Sequence, residues 1–347
     1  MSQWVENTAL GDWLVAYVRR LRLYKGKGAG DPIDLRPWQE RKFIRDLLST
    51  VDKDTGLRRY TEAFFALPKK NGKSTLIAAL VVLLLCGDGE MGAEVYSAAS
   101  TRAQASIVFR TVANMIRKDP WLRKRCKVND TLKRIVYLPT QGFYQALSAD
   151  SDYSDGIDAS AVIYDELHRA PNSALYDLLK QSMGARRQPL LITITTAGAD
   201  KATVCGEVWD YAVKVRDGII ENPRFYPCIY AADPKDDWTD PEVWKKANPA
   251  LGDFLSMTDM EEACARAKSQ PSFRAAFLRY RLNIWAQSDE AWLPLTAWDD
   301  CKVETPDLKG RKCYMGIDLS STSDLTAIGL WFPDDDGEGG YVQVHLF

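Results

Sequence analysis

Two stretches of this sequence carry side chains suited to phosphate chemistry. The first is Pro68-Lys-Lys-Asn-Gly-Lys-Ser-Thr75, a polar turn set between apolar segments. Thr61 to Leu67 ahead of it is β-prone, and Leu76 to Cys86 behind it is an unbroken apolar run with helix-forming Leu and Ala. Strand, turn and helix N-terminus in that order make an anion cradle. The first N–H groups of a helix lack intrahelical acceptors, and the aligned peptide dipoles add positive potential there. Lys73 supplies a point charge for the β- and γ-phosphates of ATP, and the Ser74 hydroxyl offers a ligand to Mg²⁺. Pro68, Lys69, Lys70, Asn71, Gly72 and Thr75 complete the predicted nucleotide-binding turn. The pattern G-x-x-x-x-G-K-[ST] asks for Gly where this chain has Leu67, so the turn is a variant. A bare Gly-Lys-Ser is a weak signal, and a solvated lysine turn would explain it; the flanking strand and helix supply the meaning.

The second stretch is Ala159-Ser-Ala-Val-Ile-Tyr-Asp-Glu-Leu-His168, an apolar strand ending in two carboxylates. Asp165 at that end would hold the Mg²⁺ shell, and Glu166 beside it would polarise the attacking water as general base. An apolar strand that meets solvent through Asp-Glu is common by itself; following a phosphate turn in the right order, it points to ATP hydrolysis. Gln39, in Leu35-Arg-Pro-Trp-Gln39 upstream of the turn, carries an amide able to accept from and donate to an adenine edge. Thr195 and Thr196 close the buried strand Pro189 to Thr196, where hydroxyls could hold water or sense the γ-phosphate; β-propensity explains threonines there nearly as well.

These residues need a scaffold that brings strand ends to one edge. The sequence predicts an α/β fold, a P-loop (ASCE/RecA-like) ATPase with a mainly parallel sheet. It has 347 residues, 46% of them hydrophobic, enough for a large core and two domains. The expected core covers 1–204 with an N-terminal helical arm from Trp4 to Leu23, followed by a small Trp-rich lid over 205–287 and a linker over 288–310. The arm turns basic at Arg19, Arg20, Arg22, Lys25 and Lys27, which reads as a docking helix with a solvated end or as a phosphate-contacting arm. Glu94 to Ala99 is a further strand, and its polar exit through Arg102 and Gln104 could face nucleotide, a neighbouring subunit or DNA. The lid should hold the strand Phe225 to Ala231 and an amphipathic helix, Ser272 to Trp285. From 311 onward a three-strand meander begins with Cys313-Tyr-Met-Gly-Ile-Asp318.

Lys and Arg number 45 against 47 Asp and Glu, a net charge of −2, so no global basic field draws the chain to nucleic acid. The local patch of Arg117, Lys118, Arg123, Lys124, Arg125, Lys127, Lys133 and Arg134 is either a solvated face or a DNA-backbone contact. Seven cysteines without a C-x-x-C pair suit reduced thiols. Two histidines argue against a histidine-built metal centre and for carboxylate-bound Mg²⁺ or Mn²⁺. The N-terminus shows no signal peptide, and the longest apolar run is too short to span a bilayer.

Taken together, the Leu35–Gln39 and Pro68–Thr75 motifs, the Ser100–Phe109 helix start, Val162–His168, Thr193–Gly198, Ala247-Asn-Pro249, Asn283-Ile-Trp285 and Gly316–Leu325 resemble the large terminase subunits of tailed bacteriophages. The order is specific and covers nearly the whole chain. Such proteins commonly lack the leading glycine of the phosphate turn. The resemblance implies an ATP-driven motor that moves double-stranded DNA into a procapsid, joined to an RNase H-like endonuclease that cuts concatemeric DNA. By motif position it implies phosphate and Mg²⁺ binding by Lys73 and Ser74, the Mg²⁺ shell at Asp165, water activation by Glu166, coupling through Thr195 and Thr196, and a first nuclease metal ligand at Asp318. It further implies a small terminase subunit and a portal as partners, a homo-oligomeric ring on that portal, no membrane, and the host bacterial cytoplasm as location. A trans-acting arginine is expected among Arg102, Arg186 and Arg187. The family's nuclease runs past residue 347, so the chain is expected to be truncated, with its own cleavage activity in doubt. Two rival readings share part of the pattern. A helicase-like ATPase would need a second RecA-like domain, and a prophage remnant would bind nucleotide without acting as a motor.

Overall fold

The structure, a computed structural model, describes residues 3–26, 28–149, 156–286, 301, 306–319, 326–334 and 339–347. Lys27, the start of the Asp150 loop, most of the expected linker, the Ser320–Asp324 turn and residues 335–338 of the last turn lie outside them. The chain divides into a large unit, Met1–Glu290, and a small one, Ala291–Phe347.

The large unit is built on an eight-stranded sheet. Two short strands precede it, β1 (Trp4–Glu6) and β2 (Thr50–Asp52), which pair with each other. The sheet comprises β3 (Glu62–Ala66), β4 (Glu94–Ala99), β5 (Cys126–Asn129), β6 (Arg134–Tyr137), β7 (Gly142–Ser148), β8 (Ala161–Asp165), β9 (Leu190–Thr195) and β10 (Phe225–Ile229), in the order β10-β3-β9-β8-β4-β7-β6-β5. The first six strands of that order pair in parallel; β6 and β5 add an antiparallel extension. The parallel strands read as continuous apolar runs because helices cover both faces. Side chains alternate between the two. Ala63 and Phe65 enter one core with Ile163 and Ile192, while Phe64 and Ala66 enter another with Trp209, and Val162 and Tyr164 a third.

Helix Lys73–Cys86 is buried from Leu76 to Leu85. It lies in the core between the sheet and the helices Thr8–Arg20 and Arg102–Lys118, so no face needs to be polar. The parallel α/β unit expected from the sequence is present.

Three expectations change. The arm is not helical from Trp4. Residues 4–6 are strand, and the helix starts at Thr8 where the Asn7 side chain accepts from Leu10 N at 3.0 Å. Its basic end is largely used internally, Arg19 on Glu40 (3.0 Å), Arg20 on Asp119 (3.1 Å) and Arg22 on the Gly30 carbonyl (2.8 Å). The docking-helix reading fits this better than a phosphate arm. Next, Phe225–Ile229 is the outer strand of the main sheet, paired with β3, and helix Val204–Arg216 packs beneath it. The lid drawn from residue 205 therefore begins with a helix and a strand that belong to the main sheet layer. Composition could not separate them, because an edge strand and a lid strand share the same propensities. The helices with a core of their own run from Pro241 to Leu282, gathering Trp244, Met260, Cys264, Phe277 and Leu282 around Ala232 and Ile284. Finally, β5 was not expected; Cys126–Asn129 pairs with β6 at the far edge of the sheet.

The small unit is an antiparallel meander of β11 (Tyr314–Asp318), β12 (Ala327–Pro333) and β13 (Gly340–Leu346). Asp318 ends β11, opposite Ala327.

Candidate active site

The strand order builds the site. β9 lies between β3, which feeds the phosphate turn, and β8, which ends in the carboxylates. Ala66 stands in register with Thr195, and Asp165 with Ile194, so the turn, Thr195 and Asp165-Glu166 meet at one carboxyl edge. That edge, where the chain crosses from one side of the sheet to the other, is where open α/β sheets bind ligands.

The turn has the backbone of an anion cradle. Lys70 and Gly72 have φ of 72° and 82°, and Gly72 leads into the helix that begins at Lys73. A Cβ on Gly72 would lie 3.3 Å from Gln39 Nε2 and 3.4 Å from the Phe254 ring, so the glycine keeps open a space bounded by both. Gln39 is held there by accepting from Arg36 N at 3.1 Å, and Arg36 pairs with Asp253 at 2.6 Å. Ser74 is exposed and Thr75 partly exposed, while Pro68 and Asn71 are buried. Lys73 is folded back, donating to the Leu67 carbonyl at 2.8 Å with Nζ 3.6 Å from Glu166 Oε1. Burial pulls its pKa below the usual lysine value, against the pull of Glu166 and Asp165.

The two carboxylates diverge in character. Burial and the neighbouring Glu166 charge push Asp165 up, with Lys73 opposing. Burial also acts to raise Glu166, but Lys73, His168 and Lys69 outweigh it and hold Glu166 below the usual carboxylate range. Such splitting marks one group as the persistent anion, which a general base requires. Glu166 sits at φ 56°, a left-handed conformation seldom adopted by a side chain of its size.

Thr195 and Thr196 are fully buried. Thr195 Oγ1 donates to the Thr196 carbonyl at 3.0 Å and accepts from His168 N at 3.1 Å. Two buried atoms at the exit of β4, Ser100 Oγ and Gln104 Oε1, have no partner among the described residues. The donor set, the open cradle and these polar atoms fit a nucleotide with a divalent metal. Among the described residues no cluster of three or more His, Cys, Asp or Glu could hold a metal by protein ligands alone. A metal shared with phosphate oxygens and water needs no such cluster.

Sequence reasoning missed four residues that the fold brings here. Asn248 Oδ1 accepts from Asn71 Nδ2 at 2.8 Å, and Asn71 Oδ1 accepts from Ala250 N at 3.2 Å. Asn283, at φ 59°, accepts from Ala197 N at 2.7 Å and donates to the Tyr230 carbonyl at 2.8 Å. Phe254 and His168 are the others. Only the Asn-Pro and Asn-Ile-Trp motifs hinted at the first two. The helical subdomain also grips the turn through Lys69 N, which donates to the Tyr280 carbonyl at 2.8 Å, while Lys69 Nζ lies 3.4 Å from the Tyr280 ring centre. Lys70 pairs with Asp259 at 2.9 Å.

Among the arginines, Arg186 is enclosed by Asp158 (3.1 Å), Glu90 (3.5 Å) and Glu94, which begins β4, so it belongs to the amino edge of the sheet. Arg187 shortly precedes β9 at the same edge; Arg102 follows β4 at the carboxyl edge and is exposed. Part of the basic patch is spent locally, with Arg117 on Asp130 at 2.5 Å, Arg125 over Trp121 at 4.3 Å and Arg134 over Phe143 at 3.6 Å. Lys118, Arg123, Lys124 and Lys127 remain exposed. Asp318 is exposed in the small unit. No helix among the described residues is long and apolar enough to cross a membrane.

Comparison with known proteins gives a consistent picture. A sequence profile described as terminase large subunit, ATPase domain, matches residues 37–214, and one described as terminase large subunit, endonuclease domain, matches 220–347. The chain is 33% identical over 332 residues to the terminase large subunit of Enterobacteria phage HK97, covering 94% of this chain and 63% of that protein. It is 32% identical over 194 residues to protein YmfN of Escherichia coli K12, covering 55% of this chain and 43% of that protein. The crystal structure of the HK97 bacteriophage large terminase superposes with a TM-score of 0.70 at 28% identity, covering 99% of this chain and 68% of that one. The chain thus spans less than two thirds of the length of the curated relatives it matches.

Proposed function

This chain belongs to the terminase large-subunit family, and on that premise we propose that it is an ATP-hydrolysing motor subunit that drives double-stranded viral DNA into a procapsid. The observation that carries the reading is the meeting of Lys73 and Glu166, 3.6 Å apart, at the carboxyl edge where the phosphate turn opens.

In this reading the substrate is ATP, its base read by Gln39 and covered by Phe254. Lys73 exchanges the Leu67 carbonyl for β- and γ-phosphate oxygens, and the N–H groups of the turn from Lys70 to Ser74 take the remaining oxygens. The Ser74 hydroxyl and the Asp165 carboxylate would hold Mg²⁺, which would neutralise phosphate charge. Glu166 accepts the proton of the attacking water. Its lowered pKa keeps it ionised at neutral pH. Thr195 and Thr196 sit one strand away, positioned to pass the state of the site to Ala197 and through Asn283 to the helical subdomain. Arg102 is our candidate for an arginine acting on a neighbouring subunit's nucleotide.

The endonuclease function, with Asp318 as first ligand for Mg²⁺ or Mn²⁺, rests on the profile match at 220–347. A homo-oligomeric ring on a portal, a small terminase subunit as recruiter, and the host bacterial cytoplasm follow from the family. Lys118, Arg123, Lys124 and Lys127 are exposed cations of the patch that would meet a DNA backbone. The test is phosphate release from ATP, with and without duplex DNA, in wild type and Glu166→Gln. We expect turnover to fall about 10²–10⁴-fold, as for loss of a general base, with nucleotide binding retained. Unchanged turnover would remove Glu166 from the mechanism.

A further inference from the structure

His168 lies at a junction that the hydrolytic scheme leaves unused. Its Nδ1 hydrogen-bonds Thr195 Oγ1 at 3.1 Å, with Thr196 Oγ1 3.3 Å away, and lies 3.1 Å from Glu166 Oε2, a buried oxygen with no hydrogen-bond partner among the described residues. Its backbone N–H donates to the same Thr195 hydroxyl. The ring meets Tyr280 of the helical subdomain edge to face, with centroids 6.4 Å apart. The side chain is 7% exposed.

We propose that His168 is a positioning residue that fixes the orientation of the Glu166 carboxylate and is itself held between the Thr195–Thr196 hydroxyls and Tyr280.

The donor and acceptor chemistry of these neighbours supports one arrangement, in which the ring reaches an otherwise unpartnered Glu166 Oε2 at ion-pair distance. A carboxylate only accepts, so the ring nitrogen facing Glu166 must carry a proton. Thr195 Oγ1 spends its own proton on the Thr196 carbonyl and can offer Nδ1 only a lone pair. Both neighbours therefore call for Nδ1–H, and the anionic one is the stronger acceptor. Glu166 then has one oxygen turned to His168 and the other 3.6 Å from Lys73. When Lys73 engages phosphate, Oε1 is released toward water while Oε2 stays anchored. Rotation of a base by even an ångström costs about 10²-fold in rate, so an anchor on the second oxygen matters. The same ring touches the strand end behind the phosphate turn and the helical subdomain, so it links the orientation of the base to both.

This inference rests on Glu166 acting as base, and the experiment separates the two. Steady-state ATP turnover, titration with a fluorescent ATP analogue in Mg²⁺, and thermal melting are measured for His168→Ala, His168→Asn, His168→Gln and Glu166→Gln. The Asn amide N–H falls where Nδ1–H lies; the Gln amide reaches the Nε2 position. We expect His168→Ala to lower kcat about 10–100-fold, with KM and analogue affinity within about twofold. His168→Asn should recover most of the rate, and His168→Gln little of it. Wild-type kcat in His168→Ala, a loss carried by KM, or equal behaviour of the Asn and Gln variants would overturn the proposal. Should His168→Ala fail to fold, the contrast between Asn and Gln decides it. Loss of turnover in Glu166→Gln with a silent His168→Ala refutes only the positioning role. Retained turnover in Glu166→Gln refutes both.

Discussion

Replacing Asn283 tests whether the helical subdomain is mechanically tied to the strand end that carries Thr195 and Thr196. Asn283 is 1% exposed and bridges Ala197 N–H to the Tyr230 carbonyl, at 2.7 and 2.8 Å. Alanine would leave both backbone groups buried without their side-chain partner, at about 1–3 kcal/mol each. It would also place a Cβ without a compensating hydrogen bond at φ 59°, costing about 1–2 kcal/mol. The expected loss is about 3–8 kcal/mol. For a unit of this size, roughly 2–4 °C per kcal/mol gives a melting shift on the order of 10 °C. Asn283→Gly keeps the two orphaned groups but relieves the backbone strain, so it should be more stable than Asn283→Ala by about 1 kcal/mol despite the entropy cost of glycine. Both variants should lose ATP turnover more than nucleotide binding, because the turn itself is held separately through Asn71 and Asn248. Denaturant unfolding and ATPase assays on the two variants check this. A loss below about 1 kcal/mol in Asn283→Ala, or alanine and glycine variants that cannot be told apart, would refute the account of the bridge.

Gly72→Ala should destabilise the turn by about 1–2 kcal/mol, since φ is 82° and the new Cβ would press on Gln39 and Phe254. ATP-analogue affinity should fall at least tenfold, and an unchanged affinity would mean the space above Gly72 is not the base site. Asp165→Asn should abolish turnover yet raise the melting temperature of the nucleotide-free protein above pH 7. The sign follows from the raised pKa of Asp165, pushed up to about 7 by burial first and Glu166 second. A carboxyl raised on folding contributes stability below its unfolded value, and that contribution is lost as pH rises toward the folded one. Melting curves between pH 4 and 8 should therefore slope downward more in wild type than in Asp165→Asn. An identical pH dependence would contradict the burial of that carboxyl.

Much of the site was legible in the residues alone. Pro68–Thr75 had to be a turn, because Asn-Gly breaks the strand before it, and Leu76–Cys86 could be stable only as a buried helix. Val162 to Tyr164 had to be a buried strand, which put Asp165 and Glu166 at its end. Local backbone preference and apolar patterning act over a few residues, and they suffice for these assignments. What the residues could not express was adjacency. Nothing in the spacing places β9 between β3 and β8, yet that insertion is what sets Thr195 beside both the turn and the carboxylates. Nor does composition show that Phe225–Ile229 extends the main sheet, since hydrogen bonds to Glu62–Ala66 are formed by backbone that every residue shares. The partners of Asn71, Asn248, Asn283 and His168 lie far off in the chain or on other elements, and their value depends on burial that only the packed structure creates. The sequence alone thus determined which candidate side chains stand in the turn and at the strand ends. The tertiary structure decided which groups meet, because strand order and desolvation are properties of the whole fold.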